Sequence, residues 1–339
     1  MNKNRIRIYI LGSIDNCFDE AQKNITKRLF LELSKLHDVR YENAKENIFD
    51  PGFWKKLNKF NPDIIHIFLR PTFFVLFYSK LLKLFLKKTK IVIFALQPPQ
   101  VPFGLHYIIR NLRPDLFITI SENLALNFKR NQCKSIVLPC GVDTNKFYPV
   151  DHDHKIKLRK KYKLPLDKFI VLHVGHATRG RNLSILKDIS KNNLQVIIVL
   201  SKTFNLEKNT FKELNRSDCT IFSGFIENIE ELYQLADCYV FPTTDESKAI
   251  SLPLSVLEAM ACDIPVITTK FGALIDLFEE DDSFLFFDAT KNDLMAKLQK
   301  IMKSEKKISN RNKVFEFDWD SVTIKLEDIY LNLIHHREL

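Results

Sequence analysis

The sequence predicts an α/β protein of two doubly wound domains, each a parallel sheet with helices on both faces. Three observations lead there. Short apolar runs rich in Ile, Val and Phe alternate with helix-length amphipathic stretches along the 339 residues, the rhythm of repeated βα units. The runs lack apolar–polar alternation, as strands covered on both faces do. A charged stretch in the middle, "YPVDHDHKIKLRKKYKLPLDK", carries no apolar periodicity and divides the pattern in two.

In the first half the candidate strands are "RIRIYILG", "DVRYEN", "PDIIHIFL", "KIVIFAL", "PDLFITI" and "SIVLP", with helices in "CFDEAQKNITKRLFLELSKL" and "SENLALNFKRN". In the second they are "FIVLHVG", "QVIIVLS", "CTIFSG", "CYVFPT", "IPVITT" and "SFLFF", with helices in "NIEELYQLA" and "NDLMAKLQKIM". The charged stretch puts the boundary near residues 149 to 166, with a first domain over 1–149 and a second over 150–317. Two such domains with a polar joint imply a cleft. Open α/β sheets bind ligands beyond the carboxyl ends of their strands, so the strand-to-loop junctions are where chemistry belongs.

The length suits two domains. A composition 45% hydrophobic and 27% charged excludes a disordered chain. The net charge of +10 suits an anionic partner: phosphorylated substrates, an acidic membrane or nucleic acid. No basic patch interleaved with aromatics argues for nucleic acid. Cys17, Cys133, Cys140, Cys219, Cys238 and Cys262 form no CxxC pair and read as buried thiols in a reducing compartment. The apolar run after "MNKNR" is too short for a signal-peptide core, and no run reaches the roughly 20 residues of a spanning helix. The expectation is a cytoplasmic protein.

Four junctions stand out. In "YILGSIDN", Gly12 and Ser13 follow the first strand and either admit a ligand to the backbone or form an ordinary turn. In "LPCGVDTNKFYP", Gly141 belongs to a turn leading out of the first domain. In "LHVGHATRGRNLSIL", a strand ends at Gly175, and a loop with His176, Arg179, Gly180 and Arg181 precedes a helix. Guanidinium charge, free N–H groups and the helix dipole converge there as an anion site; the alternative is two solvated arginines. In "VFPTTDESKAISLPLSVLEAMACDIPVITT", Asp245 and Glu246 precede a helix opened by Pro253, with Glu258 in its second turn. Ser255, Leu254, Ala261 and Cys262 lie one turn from Glu258, and none is a cation. A carboxylate in that setting suits a vicinal diol such as ribose; the alternative is the helix's solvent edge.

Together these segments resemble glycosyltransferase family 4, whose members have the two-domain GT-B fold and use nucleotide-sugar donors. "LPCGVDTNKFYP" is similar to the family's interdomain stretch "NGVDxxxFxP", and "VGHATRGRN" to its phosphate loop. "GFIENIEELYQLADCYVFPTT" resembles its nucleobase region, and "LEAMACDIPVITT" its "EAMACGxPVI" helix and strand. "FDWDSVTIKLEDIYLNLI" resembles its closing helix, so residues 318–339 are expected to pack back on the first domain. The likeness covers most of residues 135–339; the first half matches in outline.

The resemblance implies two Rossmann-like domains facing a central cleft. It implies transfer of a sugar to a hydroxyl of a glycan or lipid-linked acceptor, with retention of configuration and no metal or other cofactor. The departing phosphate would take the acceptor's proton. Glu246 would contact the transferred sugar, and Arg179 the diphosphate. Glu258 would hold the ribose hydroxyls, with Arg181 and His176 on the phosphates. Ile226, beside Phe225, would line the base pocket through its backbone. Gly12 and Ser13 would meet the diphosphate from the first domain.

Four departures bear on these roles. His176 stands where arginine is usual. Eleven residues separate Glu246 from Glu258, a longer spacing than the family's. Asp263 replaces a glycine, which a left-handed position tolerates. Gln97 of "FALQPPQ" stands where a histidine near the reacting sugar is usual, and the nearby His66 and His106 read as core or surface residues.

The strings Asp151–His152–Asp153 and Asp318–Trp319–Asp320 are expected as a solvated linker and a helix cap, not as metal ligands. Residues 72–90, "TFFVLFYSKLLKLFLKKTK", are expected as a core helix. The alternative is peripheral contact with the inner membrane face, with Lys80, Lys83, Lys87 and Lys90 along one side. Two rival functions are a nucleotide-sugar epimerase, which needs more acid–base residues than the junctions supply, and a catalytically impaired nucleotide-sugar-binding protein.

Overall fold

The structure, a computed structural model, describes residues 5–13, 21–43, 50–100, 107–178, 180–187, 189–190, 193–200, 212–214, 216–305 and 308–337. The chain divides into two compact units, one of Met1–Gly141 with Trp319–Leu339, the other of Val142–Asp318. Each holds a six-stranded parallel sheet.

In the first unit β1 (Arg7–Gly12), β2 (Asp38–Asn43), β3 (Ile64–Ile67), β4 (Lys90–Ala95), β5 (Leu116–Thr119) and β6 (Ser135–Val137) lie in the order β2-β1-β3-β4-β5-β6. In the second, β7 (Phe169–Gly175), β8 (Leu194–Leu200), β9 (Thr220–Ser223), β10 (Cys238–Phe241), β11 (Val266–Thr268) and β12 (Phe284–Phe286) lie in the order β12-β11-β10-β7-β8-β9. Every predicted strand is present. β3, β5, β8, β10 and β11 are buried at every residue, which is why their sequences show no polar alternation.

The crossings of the first unit are α1 (Ala21–Leu36), α2 (Pro51–Phe60), α3 (Phe73–Phe85), α4 (Tyr107–Asn111) and α5 (Glu122–Arg130). Thr72 and Ser121 cap α3 and α5 by accepting N–H bonds from Val75 and Leu124. Phe53 and Leu57 of α2, Leu76 and Leu82 of α3, Ile109 of α4 and Phe128 of α5 pack into one core over the sheet. The second unit contains α6 (His152–Lys161), α7 (Ser184–Lys187), α8 (Ile229–Leu235), α9 (Leu254–Ala261), α10 (Leu274–Leu277) and α11 (Lys291–Met302). The last helix, α12 (Trp319–Ile334), belongs to the first unit and packs beside α1. Its Tyr330 hydroxyl meets Nδ1 of His66 on β3. His66 is fully buried, and desolvation pushes its pKa down to about 3, so it is a neutral core histidine. His106 lies outside the described residues.

Two local readings change. The charged stretch after residue 149 is not a joint: it folds as α6 within the second unit. Buried Arg159 there donates to the Leu235 carbonyl and, at 2.6 Å, to the Asp237 carboxylate. The chain crosses between units at Gly141–Val142 and returns at Asp318–Trp319. The helix in residues 72–90 ends at Phe85, so Lys87 follows it and Lys90 opens β4 instead of extending a lysine edge.

Asp151 caps α6 by accepting from His154 N at 2.7 Å, and Asp318 accepts from the Thr144 hydroxyl at 2.5 Å. Among the described residues no group of three or more His, Cys, Asp or Glu could hold a metal ion, and no helix is long and apolar enough to cross a membrane. Cys133, Cys140, Cys238 and Cys262 are buried free thiols and Cys219 is half-buried; Cys17 lies outside the described residues.

Candidate functional site

The second sheet reverses its order between β7 and β10: the chain runs outward to β8 and β9 from one and to β11 and β12 from the other. Loops beyond the carboxyl ends of such neighbouring strands form the ligand crevice of an open α/β sheet. The loop after β7 carries His176 to Arg181, and the loop after β10 carries Asp245 and Glu246.

Arg181 sits in the turn before α7, its N–H donating to the Thr178 carbonyl at 3.1 Å. Its side chain folds against the end of β7: a Cβ on Gly175 would stand 3.4 Å from Arg181 Nη1 and 3.0 Å from His173 Nε2. Arg181 is only 7% exposed. Among the described residues its Nε has no hydrogen-bond partner and no carboxylate pairs with its guanidinium. Burial lowers its pKa, against a smaller opposing effect of Tyr239. A buried cation without a counter-ion is costly, and a bound anion relieves that cost.

His173 keeps the site from accumulating charge. Its Nδ1–H donates to the Val240 carbonyl at 2.9 Å, and its ring stacks on Tyr239 with centroids 6.3 Å apart. Burial, with the nearby Arg181 and His176 charges, pushes its pKa down to about 4, so it is neutral near pH 7. His176 itself is half-buried in the loop.

Gly180 joins the two loops. It has φ +91°, and its carbonyl accepts from Thr244 N at 3.1 Å and Asp245 N at 3.2 Å. A Cβ there would lie 2.7 Å from Asp245 Cβ. Asp245 then caps a short 3-10 turn, Glu246–Lys248, accepting from Ser247 N at 2.9 Å. Hydrogen bonds from the Ser247 hydroxyl and, second, its N–H hold the Asp245 carboxyl below its usual range. Glu246 is exposed on this turn. We expect Gly180→Ala to cost about 1–3 kcal/mol of stability, since it combines a left-handed backbone with a clash. Urea denaturation checks it, and an unchanged midpoint contradicts the tight loop junction.

Glu258 lies on α9 among buried Val256, Leu257, Ala259 and Met260, and is itself half-buried. The fully buried Tyr233 of α8 donates its hydroxyl to Glu258 Oε2 at 2.7 Å. Desolvation raises the Glu258 pKa; the Tyr233 bond and the Lys146 charge oppose it. Lys146 in turn pairs with Glu230 Oε2 at 3.3 Å and donates to the Glu227 carbonyl at 3.5 Å. Glu258 is therefore held by a neutral phenol, and Oε1 accepts no hydrogen bond among the described residues. Tyr239 connects the two ends of the site: it donates to Ser255 Oγ at 2.7 Å and feels the charges of both Glu258 and Arg181.

Ile226 is half-buried in the loop after β9, next to Glu227 whose carbonyl Lys146 holds. Asp263, after α9, has φ 56° and accepts from Arg311 N at 3.0 Å; the left-handed position is real. Gly12 and Ser13 belong to the first unit. A Cβ on Gly12 would meet Thr26 Cγ2 at 2.9 Å and Phe68 Cβ at 3.2 Å, so packing within the first unit favours glycine there. Gln97 is half-buried after β4. Arg179 lies outside the described residues. Sequence reasoning missed Tyr233, Lys146 and His173, although each stands in a quoted segment. A histidine inside the aliphatic run "FIVLHVG" was the clearest signal.

Residues 154–314, just under half of the chain, match the family model described as glycosyl transferases group 1. The sulfoquinovosyl transferase SQD2 of Arabidopsis thaliana is 26% identical over 199 residues, 56% of this chain and 38% of that protein, so the chain spans little more than a third of this curated relative. The sucrose-phosphate synthase structure from Thermosynechococcus elongatus superposes with TM-score 0.81 at 17% identity, covering 98% of this chain and 100% of that one. Anabaena HepE in complex with UDP superposes with TM-score 0.79 at 14% identity, covering 97% and 100%, and has also been solved with UDP-glucose. The fold is GT-B, and residues 154–314 are similar to the group 1 glycosyl transferases.

Proposed function

We propose that the chain moves a sugar from a nucleotide-sugar donor to a hydroxyl of a glycan or lipid-linked acceptor, with the donor diphosphate bound at Arg181. The observation that carries this is the buried guanidinium that has no counter-ion among the described residues, at the switch point of the second sheet. HepE, a protein of the same fold, binds UDP and UDP-glucose, which supports a nucleotide at such a site.

In this reading the anomeric carbon–phosphate oxygen bond breaks and negative charge grows on the leaving diphosphate. Arg181 stabilises it, and one preorganised donor of this kind is worth about 3–4 kcal/mol. Arg179, two residues earlier in the chain, adds a second cation, and His176 a further phosphate contact. The acceptor oxygen bonds to the anomeric carbon on the face the phosphate leaves, and its proton passes to a diphosphate oxygen. Configuration is retained and no metal takes part. Glu246 contacts the transferred sugar. The Ile226 backbone meets the base. Glu258 Oε1 accepts from the ribose hydroxyls while Tyr233 occupies Oε2.

The test is incubation with uridine, guanosine and adenosine diphosphate sugars, with and without a lipid or glycan extract as acceptor. We expect acceptor-dependent release of nucleoside diphosphate, unchanged by EDTA, and a product of unchanged anomeric configuration by NMR. Nucleotide binding without turnover contradicts the proposal in favour of a binding protein, and sugar interconversion without acceptor does so in favour of an epimerase.

Tyr233→Phe removes the donor that keeps Glu258 oriented and ionised. We expect nucleotide affinity to fall by about tenfold, the size of a hydrogen bond to a charged group. A 2′,3′-dideoxynucleotide should bind the parent and variant equally. If both nucleotides weaken alike, the effect is structural and not exerted through the ribose.

A further inference from the structure

We propose that the outer face formed by α2, α3 and α4 of the first unit docks on an anionic lipid bilayer. The surface stands independently of the transfer chemistry and deepens the reading of a lipid-linked acceptor.

A surface helix ordinarily turns polar residues outward. α3 does the reverse. Its inner side buries Leu76, Tyr78, Ser79 and Leu82 in the core. Its outer side shows Phe73, Phe74, Phe77, Leu84 and Phe85, with Phe74 77%, Phe85 69% and Leu84 60% exposed. Within the stripe the Phe73 and Phe77 rings stack at 6.3 Å, and it continues onto α2 where Phe85 packs on Trp54 at 5.1 Å. Tyr107, at the start of α4, is exposed as well.

The charge along α3 and α4 has one sign. No carboxylate occurs in the sequence between Asp63 and Asp115. Those two are engaged, Asp63 with Arg7 at 3.1 Å and Asp115 with Lys83 at 2.5 Å. Lys55 and Lys59 on α2, Lys87 and Lys88 after α3, and Arg110 on α4 are all exposed.

Charge complementarity selects the occupant. A second copy would set lysines against lysines through the same face, and the chain as a whole carries +10. An anionic bilayer takes aromatic and aliphatic side chains into the headgroup boundary while its lipids meet the cations.

Co-sedimentation of the full chain with vesicles of phosphatidylcholine alone, or mixed with phosphatidylglycerol, tests this. Binding is expected only to the mixed vesicles. Phe74→Glu with Phe77→Glu should lower partitioning by at least about tenfold, because two apolar anchors become anions. Each of Lys55→Ala, Lys59→Ala and Lys88→Ala should lower it by about fivefold at low salt and have little effect at 1 M salt, where the screening length is about 3 Å. All these positions are exposed, so far-UV circular dichroism and the thermal midpoint should match the parent. No vesicle binding, equal binding to both vesicles, or binding that survives the phenylalanine changes overturns the proposal. So does a phenylalanine-dependent dimer, or binding to a single-stranded oligonucleotide, in place of vesicle binding. A soluble acceptor would still be glycosylated in any of those cases, which separates this failure from failure of the transferase reading.

Discussion

Arg181→Met is expected to slow sugar transfer at saturating donor by about 10²- to 10³-fold, the loss seen when one charge-stabilising donor is removed. The unliganded variant should be as stable as the parent or more so. Both halves follow from one fact. Arg181 is buried with an unpartnered Nε and no carboxylate beside it among the described residues. Replacing an uncompensated buried charge with an apolar side chain of similar length removes a desolvation cost. A structural arginine behaves in the opposite way: its loss breaks bonds that hold the fold. Arg159 is such a residue, bonded to Asp237 and to the Leu235 carbonyl, so Arg159→Met serves as the contrast and should destabilise. Steady-state turnover and thermal unfolding of the two variants decide the matter. Unchanged turnover in Arg181→Met, or marked destabilisation, contradicts a ligand site at this guanidinium.

Glu258→Gln is expected to weaken nucleoside diphosphate binding by about 10- to 100-fold, the range for hydrogen bonds to a charged group. It should also flatten the pH dependence of binding. Desolvation raises the Glu258 pKa above the usual carboxylate range. Ribose hydroxyls need the ionised form, so affinity for the parent falls as pH drops through that raised value. Stability of the unliganded chain has the opposite slope. A carboxyl whose folded pKa is raised contributes stability that is present below its ordinary pKa and lost as pH rises through the folded one. The parent should therefore bind nucleotide better and lose some unliganded stability over the same pH window, while Glu258→Gln does neither. Titration calorimetry and thermal unfolding across that window measure both slopes. Parallel slopes, or a variant that retains the parent's pH profile, contradict the ribose role.

Much of the fold was legible because the strands are buried on both faces. Runs such as "QVIIVLS" and "KIVIFAL" have no other stable reading between helix-length amphipathic segments. The passage between units was not legible. The charged run after residue 149 looks like a linker, but its polar side chains are used inward: Arg159 reaches the Leu235 carbonyl and Asp237. The site was half legible. Arg181 and Glu258 announce themselves as charges at strand-end junctions, and their spacing in the chain places both near the β7–β10 switch point. What the chain order hides is contact across helices. Tyr233 reaches Glu258 from a separate helix, and nothing in "NIEELYQLA" marks its hydroxyl as the carboxylate's partner. The outward phenylalanines of α3 were hidden for another reason. A helix apolar all round reads as core, and sequence periodicity alone cannot say that one of its sides has no neighbour.

The central claim is that the second unit binds a nucleoside diphosphate through Arg181. Calorimetric titration of the full chain with uridine, guanosine and adenosine diphosphates, repeated on Arg181→Met, tests it most directly. The account predicts one-to-one binding of at least one of the three, adding about 2.7 kcal/mol of stability at 100 times its dissociation constant and lost in the variant. Absence of binding by all three, or equal affinity in parent and variant, contradicts it.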